Sequence, residues 1–160
     1  MKKGTTLGVT GHQRIPAAAL VHVVGGIRGQ LAAAHGPVTG YSCLAAGADQ
    51  LFAREVLASG GRLIAVIPCH GYERTFTSEG QAGYEELFAA AEQSVVLDFA
   101  EPSEEAFMAA GAEVIDRSDL LIAVWDGQPT RGLGGTADAV AYARARGREV
   151  VVIWPDGVRR

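Results

Sequence analysis

Short apolar runs alternate along this chain with alanine-rich segments of helical length. Runs rich in β-branched residues or Leu predict strands, and the segments between them predict helices. The expected strands cover 5–10, 37–44, 62–68, 94–99, 119–125 and 149–155. The expected helices cover 16–36, 47–61, 82–93, a segment capped by Ser103, and 137–147. This alternation predicts one α/β domain over 1–160, a doubly wound, mostly parallel sheet with helices on both faces.

The segment 69–81 is polar, contains two glycines and is predicted to be a long functional loop. Its aromatic residues Tyr72 and Phe76 could stack on a base, and Arg74 could pair with a phosphate. Loop aromatic residues can equally anchor the loop itself. Both interpretations of this segment stay open on the sequence alone.

The residues that follow each strand are the candidates for a ligand site. In sheets of this kind, ligands bind beyond the carboxyl ends of the strands, near the point where the strand order reverses. After the first strand, Gly11 permits close backbone approach, and Thr10 and His12 offer polar atoms. Arg14 is either a phosphate clamp or a surface side chain. The turn opens on a helix N-terminus, which favours an anion.

The turn after the second strand reads "SCLAAGADQL" and contains the small residues Ala46 and Gly47. Asp49 falls in the first turn of the following helix. It either caps that helix or accepts a hydrogen bond from a ribose hydroxyl. These alternatives are also left open.

The stretch "VWDGQPTRGLGGTADAV" (124–140) leads from the fifth strand into a helix. Its glycines directly before the helix turn several N–H groups toward one point and predict a phosphate cradle; they are Gly132, Gly134 and Gly135. Thr136 is expected to cap the helix or to donate to a phosphate oxygen. Asp126 and Asp138 are predicted to flank a ribose. An acid at Asp138 also interacts favourably with the helix dipole, by about 0.3–1 kcal/mol.

Composition narrows the class of protein. Hydrophobic residues make up 48 % and charged residues 20 %, which is typical of a globular domain. The formal net charge of −4 argues against nucleic acid as a partner. No apolar run reaches the roughly 20 residues of a membrane span, and no signal peptide is recognised, so a cytoplasmic protein is expected. Cys43 and Cys69 are expected to be buried free thiols, and neither a metal site nor a required cofactor is predicted.

Four stretches in this order, "GVTGHQR", "CLAAGADQL", "RLIAVIP" and "GLGGTADAV", resemble the SLOG superfamily of Rossmann-like nucleotide-binding proteins. That superfamily contains LOG-type phosphoribohydrolases, Smf DNA-processing proteins and proteins described as molybdenum cofactor carriers. The resemblance spans nearly the whole chain. It implies a Rossmann-like fold, a small nucleotide or nucleotide derivative as ligand, and a homodimer, although alanine faces also pack inside monomers.

The resemblance also implies roles for single residues. Gly134, Gly135 and Thr136 match the LOG phosphate turn, and Asp138 falls where LOG enzymes carry a catalytic glutamate. Those enzymes also have a catalytic arginine, which would be Arg117 or Arg131. The chain departs from the pattern because its turn reads Gly-Leu-Gly-Gly-Thr and its acid is Asp, followed by Ala. A second resemblance is to nucleoside deoxyribosyltransferases, whose nucleophilic Glu follows a Gly-Thr pair. It ranks lower because the spacing between that pair and the acid differs by one residue.

The sequence therefore predicts a domain that binds or senses a nucleotide through glycine-rich strand-to-helix turns. The alternative is a nucleoside 5′-monophosphate phosphoribohydrolase that uses Asp138. A Smf-like role on DNA and the carriage of a cofactor rank below both.

Overall fold

The computed structural model describes residues 4–129 and 135–159. Within these ranges, six strands form one parallel sheet in the order β4-β3-β2-β1-β5-β6. The strands are β1 (Thr5–Gly11), β2 (Val38–Ser42), β3 (Arg62–Ile67), β4 (Gln93–Val96), β5 (Leu120–Val124) and β6 (Glu149–Ile153). The chain runs outward from β1 to β4 and then returns to the other side of β1. The strand order therefore reverses between β1 and β5, and the predicted α/β fold is confirmed.

The helices divide between the two faces of the sheet. They are α1 (Ala17–Ala33), α2 (Ala48–Ala58), α3 (Ser78–Ala90), α4 (Glu104–Asp116) and α5 (Thr136–Ala145). Right-handed crossovers toward β4 place α1, α2 and α3 on one face, and the return to β5 and β6 places α4 and α5 on the other. Contacts between α1 and α2, α2 and α3, and α4 and α5 agree with this division.

The main core lies between the sheet and the α1–α2 layer. Helix α1 buries every fourth residue, and these side chains pack with both strand and α2 residues in one cluster. Its largest fully buried member is Phe52. On the opposite face, Gly8 leaves room for the end of α4. A Cβ at Gly8 would lie 2.5 Å from the Ser118 Oγ and 2.8 Å from the Val114 Cγ1.

Two predicted boundaries are wrong in part. The loop predicted over 69–81 contains a short 3-10 helix (Tyr72–Thr75), and α3 already begins at Ser78. Helix α3 begins this early because Thr77 caps it: the Thr77 hydroxyl accepts a hydrogen bond from the Gly80 amide at 3.2 Å. The fourth strand, predicted over 94–99, ends at Val96.

Of the helices in the described part of the chain, none is long and apolar enough to cross a membrane. Both cysteines are free thiols, with Cys69 buried and Cys43 half-buried.

Candidate functional site

A cavity of about 1090 Å³ opens at the carboxyl edge of the sheet. Three strand-to-helix turns contribute to its lining: the turn after β1, the turn after β2 and the turn before α5. The predicted residues brought together there are Thr10, Gly11, His12, Arg14, Ala46, Asp49, Tyr72, Gly135, Thr136 and Asp138. The site therefore lies at the reversal of the strand order, as open parallel sheets place ligands.

His12 connects the two turns on either side of this reversal. Its amide donates to the Val124 carbonyl at 3.1 Å, which continues the β1–β5 pairing by one residue. Its buried Nε2 atom accepts from the Asp126 amide at 3.1 Å and lies 3.2 Å from the Asp126 Oδ1. The ring also meets Trp154 edge-on, with centroids 5.3 Å apart. A neutral imidazole accepts from the amide and a protonated one donates to the carboxylate, so both forms hold the turns together.

Gly47 allows the turn after β2 to pack against the turn after β1. Its backbone has φ 82° and ψ −124°, a region that residues with a side chain rarely adopt. A Cβ there would collide with the carbonyl groups of His12 and Gln13. The Ala48 amide donates to the His12 carbonyl at 3.1 Å and fixes this contact. Gly47 of the "CLAAGADQL" stretch therefore positions two walls of the cavity relative to each other.

Asp49 does not cap α2, which begins after Gly47 without a side-chain hydrogen bond at its cap. The side chain instead folds back, and its Oδ2 accepts from the Ala45 amide at 3.4 Å. Burial raises the pKa of this carboxyl and outweighs the opposing effect of the Ala45 hydrogen bond, so that the pKa is about 7. Near neutral pH the carboxyl can therefore be either a donor or an acceptor toward the cavity.

Two further groups beside Asp49 are held in their neutral forms. Burial, and then the Asp49 charge, raise the pKa of the Cys43 thiol well above its usual range. Burial is also the main cause that raises the pKa of Tyr72. A thiol that stays protonated is a poor nucleophile. Cys43 packs against Val66, Ala110 and Val114 in this wall.

Tyr72 lies in an aromatic cluster under the loop that follows β3. Its ring meets Phe76 and Tyr84 edge-on, at centroid distances of 5.0 and 5.6 Å. The side chain is 5 % exposed, yet it still contributes to the cavity lining, as does Phe76. These contacts anchor the aromatic residues within the loop. Because Tyr72 and Phe76 also line the cavity, stacking on a base stays a prediction. Arg74 is exposed and does not contribute to the described lining.

The start of α5 carries Asp138 into the cavity. Gly135 is the residue before the helix, and Thr136 is its buried first residue, with no side-chain cap. The Oδ2 of Asp138 is buried and has no hydrogen-bond partner among the described residues. Of the other predicted residues, Arg131, Gly132 and Gly134 lie outside the described residues.

The remaining predicted charged residues are placed in different ways. Arg14 is exposed at the mouth of the cavity and is the one lysine or arginine in its described lining. Asp126 is half-buried and bonded to protein, because its Oδ1 also accepts from the Gln128 amide at 3.0 Å. Arg117 pairs with Glu113 at 2.8 Å on the far end of α4, and the described lining does not include it.

Sequence reasoning missed the wall that α4 contributes. Met108, Gly111, Ala112 and Ile115 line the cavity at spacings of three, four and seven residues, which is one helical face. That stripe is visible in the sequence. What the sequence does not show is that Met108, Gly111 and Ala112 face the cavity, while Ile115 lines it and also packs against Leu121 of β5.

No protein family model matches this sequence, and no curated protein is similar enough in sequence to count as a relative. Solved structures do match. The DNA processing protein A of Helicobacter pylori, described for a single-stranded DNA binding mode, superposes with a TM-score of 0.67 and 17 % identity over 93 % of this chain. The protein of the same name from Streptococcus pneumoniae gives 0.63 and 18 % over 93 %. A structural genomics target named TM1055 gives 0.57 and 15 % over 91 % of this chain and 72 % of its own.

The chain shares the Rossmann-like fold of these three structures, so the fold that the sequence resemblance implies is confirmed. The chain spans 65 % and 50 % of the lengths of the two DNA processing proteins.

The expectation that nucleic acid is not a partner is wrong. It rested on the net charge of −4, yet the neighbours include DNA processing proteins, one of them described as binding single-stranded DNA. The physical reason is that net charge is a property of the whole surface. Binding of a single strand depends on a local groove and on stacking surfaces, which composition does not report.

Proposed function

We propose that this domain binds a nucleotide unit in the cavity at the carboxyl edge of its sheet. The observation that carries the proposal is the convergence of three strand-to-helix turns on one cavity of about 1090 Å³ at the strand-order reversal. Such turns present backbone N–H groups and helix N-termini, which stabilise phosphate. Gly11, Ala46 and Gly135 line the cavity at these turns, and Arg14 adds a positive charge.

The Asp138 carboxylate provides the acceptor for a sugar hydroxyl. Its Oδ2 is buried and unpartnered among the described residues, and an unmet acceptor in such a place costs about 1–3 kcal/mol until a donor arrives. Asp126 is a weaker candidate because His12 and the Gln128 amide already engage it. If a ribose hydroxyl binds Asp138, the phosphate of the same nucleotide would lie at the strand-to-helix turns.

Two more specific activities use the same cavity. The first is LOG-like hydrolysis of a nucleoside 5′-monophosphate, in which Asp138 would orient water or stabilise an oxocarbenium-like sugar. The second is binding of single-stranded DNA, which the likeness to DNA processing protein A favours. In that case, successive nucleotides would occupy the cavity and its rim.

The test is calorimetric titration with the nucleoside 5′-monophosphates and with a short oligodeoxynucleotide. We expect binding of at least one mononucleotide and an affinity loss of about 10- to 100-fold in Asp138→Asn, because the hydrogen bond from the sugar hydroxyl loses its charged acceptor and the new amide group adds a donor in its place. Asp98→Asn, at an exposed position after β4, is the control and should bind as the unchanged protein does.

Chromatography of the same mixtures separates the activities. Free base that disappears in Asp138→Asn but persists in Asp126→Asn would establish the hydrolase. Binding that is tighter for the oligodeoxynucleotide and weakens steeply with salt would establish the single-strand role. If neither a mononucleotide nor the oligodeoxynucleotide produces heat or raises the melting temperature, the proposed function is wrong.

A further inference from the structure

One end of the cavity is a compartment between α4 and α5, and its chemistry differs from that of the turns. We use the name α4–α5 compartment for the part of the cavity that is lined by Met108, Gly111, Ala112 and Ile115 of α4 and by Ala139 and Tyr142 of α5. Their side chains are apolar apart from the Tyr142 hydroxyl. Ile115 is buried, and Ala139 and Tyr142 pack against it to close the inner end of the compartment. The Tyr142 hydroxyl donates to the Asp116 carboxylate at 2.9–3.0 Å. The Tyr142 ring is thereby held in place as a fixed aromatic side of the compartment.

The compartment is open beside Gly111. A Cβ built at Gly111 would meet no heavy atom within 4 Å, whereas a Cβ at Gly8 or Gly11 would collide with neighbouring atoms. Gly111 is therefore not required for helix packing. An alanine at this position would stabilise the helix, since glycine in a helix interior is unfavourable relative to alanine. The open space at Gly111 is room for part of a ligand.

Charge separates this compartment from the turns. Arg146 pairs with Asp116 at 3.3 Å and lies over the Tyr142 ring at 5.7 Å from its centroid, and Arg148 donates to the Asp116 carbonyl at 3.0 Å. Neither arginine contributes to the described lining of the cavity. In the described lining, the charged residues of α4 and α5 are the acids Glu105 and Asp138. A phosphate would be repelled there, whereas a neutral planar group would bury apolar surface.

We propose that the α4–α5 compartment binds the nucleobase of the ligand, with Gly111 keeping it open. This inference rests on the proposed function and adds the orientation of the ligand: phosphate at the turns, sugar at Asp138 and base against α4. The cavity is large enough for all three parts, since about 1090 Å³ lies just above the roughly 300–1,000 Å³ typical of small-molecule sites.

The test compares ribose 5-phosphate with adenosine and uridine 5′-monophosphates, because the sugar phosphate lacks a base. In the unchanged protein, at least one mononucleotide should bind ten times or more tighter than ribose 5-phosphate. Gly111→Met fills the open space and should lower mononucleotide affinity to that of the sugar phosphate, without changing ribose 5-phosphate binding. The control is Gly29→Met, on α1 outside the described lining, where a Cβ also meets nothing within 4 Å.

Both methionine variants should melt no lower than the unchanged protein, because each replaces a helical glycine. Should Gly111→Met fail to fold, Ala112→Phe blocks the same compartment and is read in the same way. The inference is overturned if mononucleotides and ribose 5-phosphate bind equally well, or if Gly111→Met binds mononucleotides normally, with the proposed function left standing. It is also overturned if Gly111→Met alters the oligomeric state while mononucleotide binding is kept, since a second copy would then occupy the compartment. If neither these phosphate compounds nor the oligodeoxynucleotide binds, both proposals fail together.

Discussion

Asp49→Asn is expected to stabilise the protein by about 2–4 kcal/mol at pH 8 and to have little effect at pH 4. Burial raises the pKa of the Asp49 carboxyl from 3.8 to about 7, so the folded protein disfavours the charged form. A difference of about three pKa units corresponds to roughly 4 kcal/mol at most. Asparagine has the same shape, carries no charge and can still accept from the Ala45 amide.

The sign of this effect follows from linkage. The pKa is higher in the folded protein than in the unfolded chain, so folding favours the protonated carboxyl. Its contribution is most favourable below about pH 4, and it is lost as the pH rises toward about 7, after which it is constant. Asp49→Asn removes the contribution of this carboxyl to the pH dependence of the free energy of unfolding and leaves the contributions of the other titratable groups.

The measurement is urea unfolding of both proteins at pH 4, 6 and 8. The stability difference should grow from pH 4 to pH 8, and Asp98→Asn, whose carboxyl is exposed, should show no such growth. A difference that is equal at all three pH values would contradict the burial of an ionisable carboxyl at this position.

Gly47→Ala is expected to destabilise the protein by about 3–5 kcal/mol. Part of this, about 1–3 kcal/mol, is the backbone strain of a side-chain residue at φ 82° and ψ −124°. The remainder arises because the new Cβ meets the carbonyl groups of His12 and Gln13, which are backbone atoms and cannot turn aside.

Gly60→Ala provides the matched control. Gly60 has φ 84°, close to that of Gly47, but a Cβ there would meet nothing within 4 Å. Gly60→Ala should therefore cost only the strain, about 1–2 kcal/mol, and should leave nucleotide affinity unchanged. Equal losses of unfolding free energy in the two variants would show that the packing of the two turns against each other is not important.

The architecture was predictable because its signals are local. Strand-helix alternation and the unbroken apolar run "DLLIAVW" reflect a sheet buried on both faces, and each can be read over a few residues. The positions of Gly11 and Gly47 at strand ends were also informative. The cap at Thr77 was visible as well, in "TSEG", but the polar character of the segment favoured a loop.

The details of the site depend on contacts between distant segments. Nothing near Asp49 in the sequence indicates that its carboxyl is buried, because the burial arises where the β2 and β1 turns pack together. The His12–Asp126 contact joins residues 114 positions apart. The α4 stripe was readable as a helix face, but not as a wall of the cavity.

The proposed function requires that a nucleotide unit binds at the reversal of the strand order. The most direct measurement is an NMR titration of the isotopically labelled protein with adenosine and uridine 5′-monophosphates, followed through its backbone amides. We expect saturable shifts concentrated at Gly11, His12, Ala46 and Gly135, with the amides of β4 at the sheet edge unchanged. Shifts confined to β4 or to the C-terminal end of α1, or no shifts at millimolar nucleotide, would contradict it.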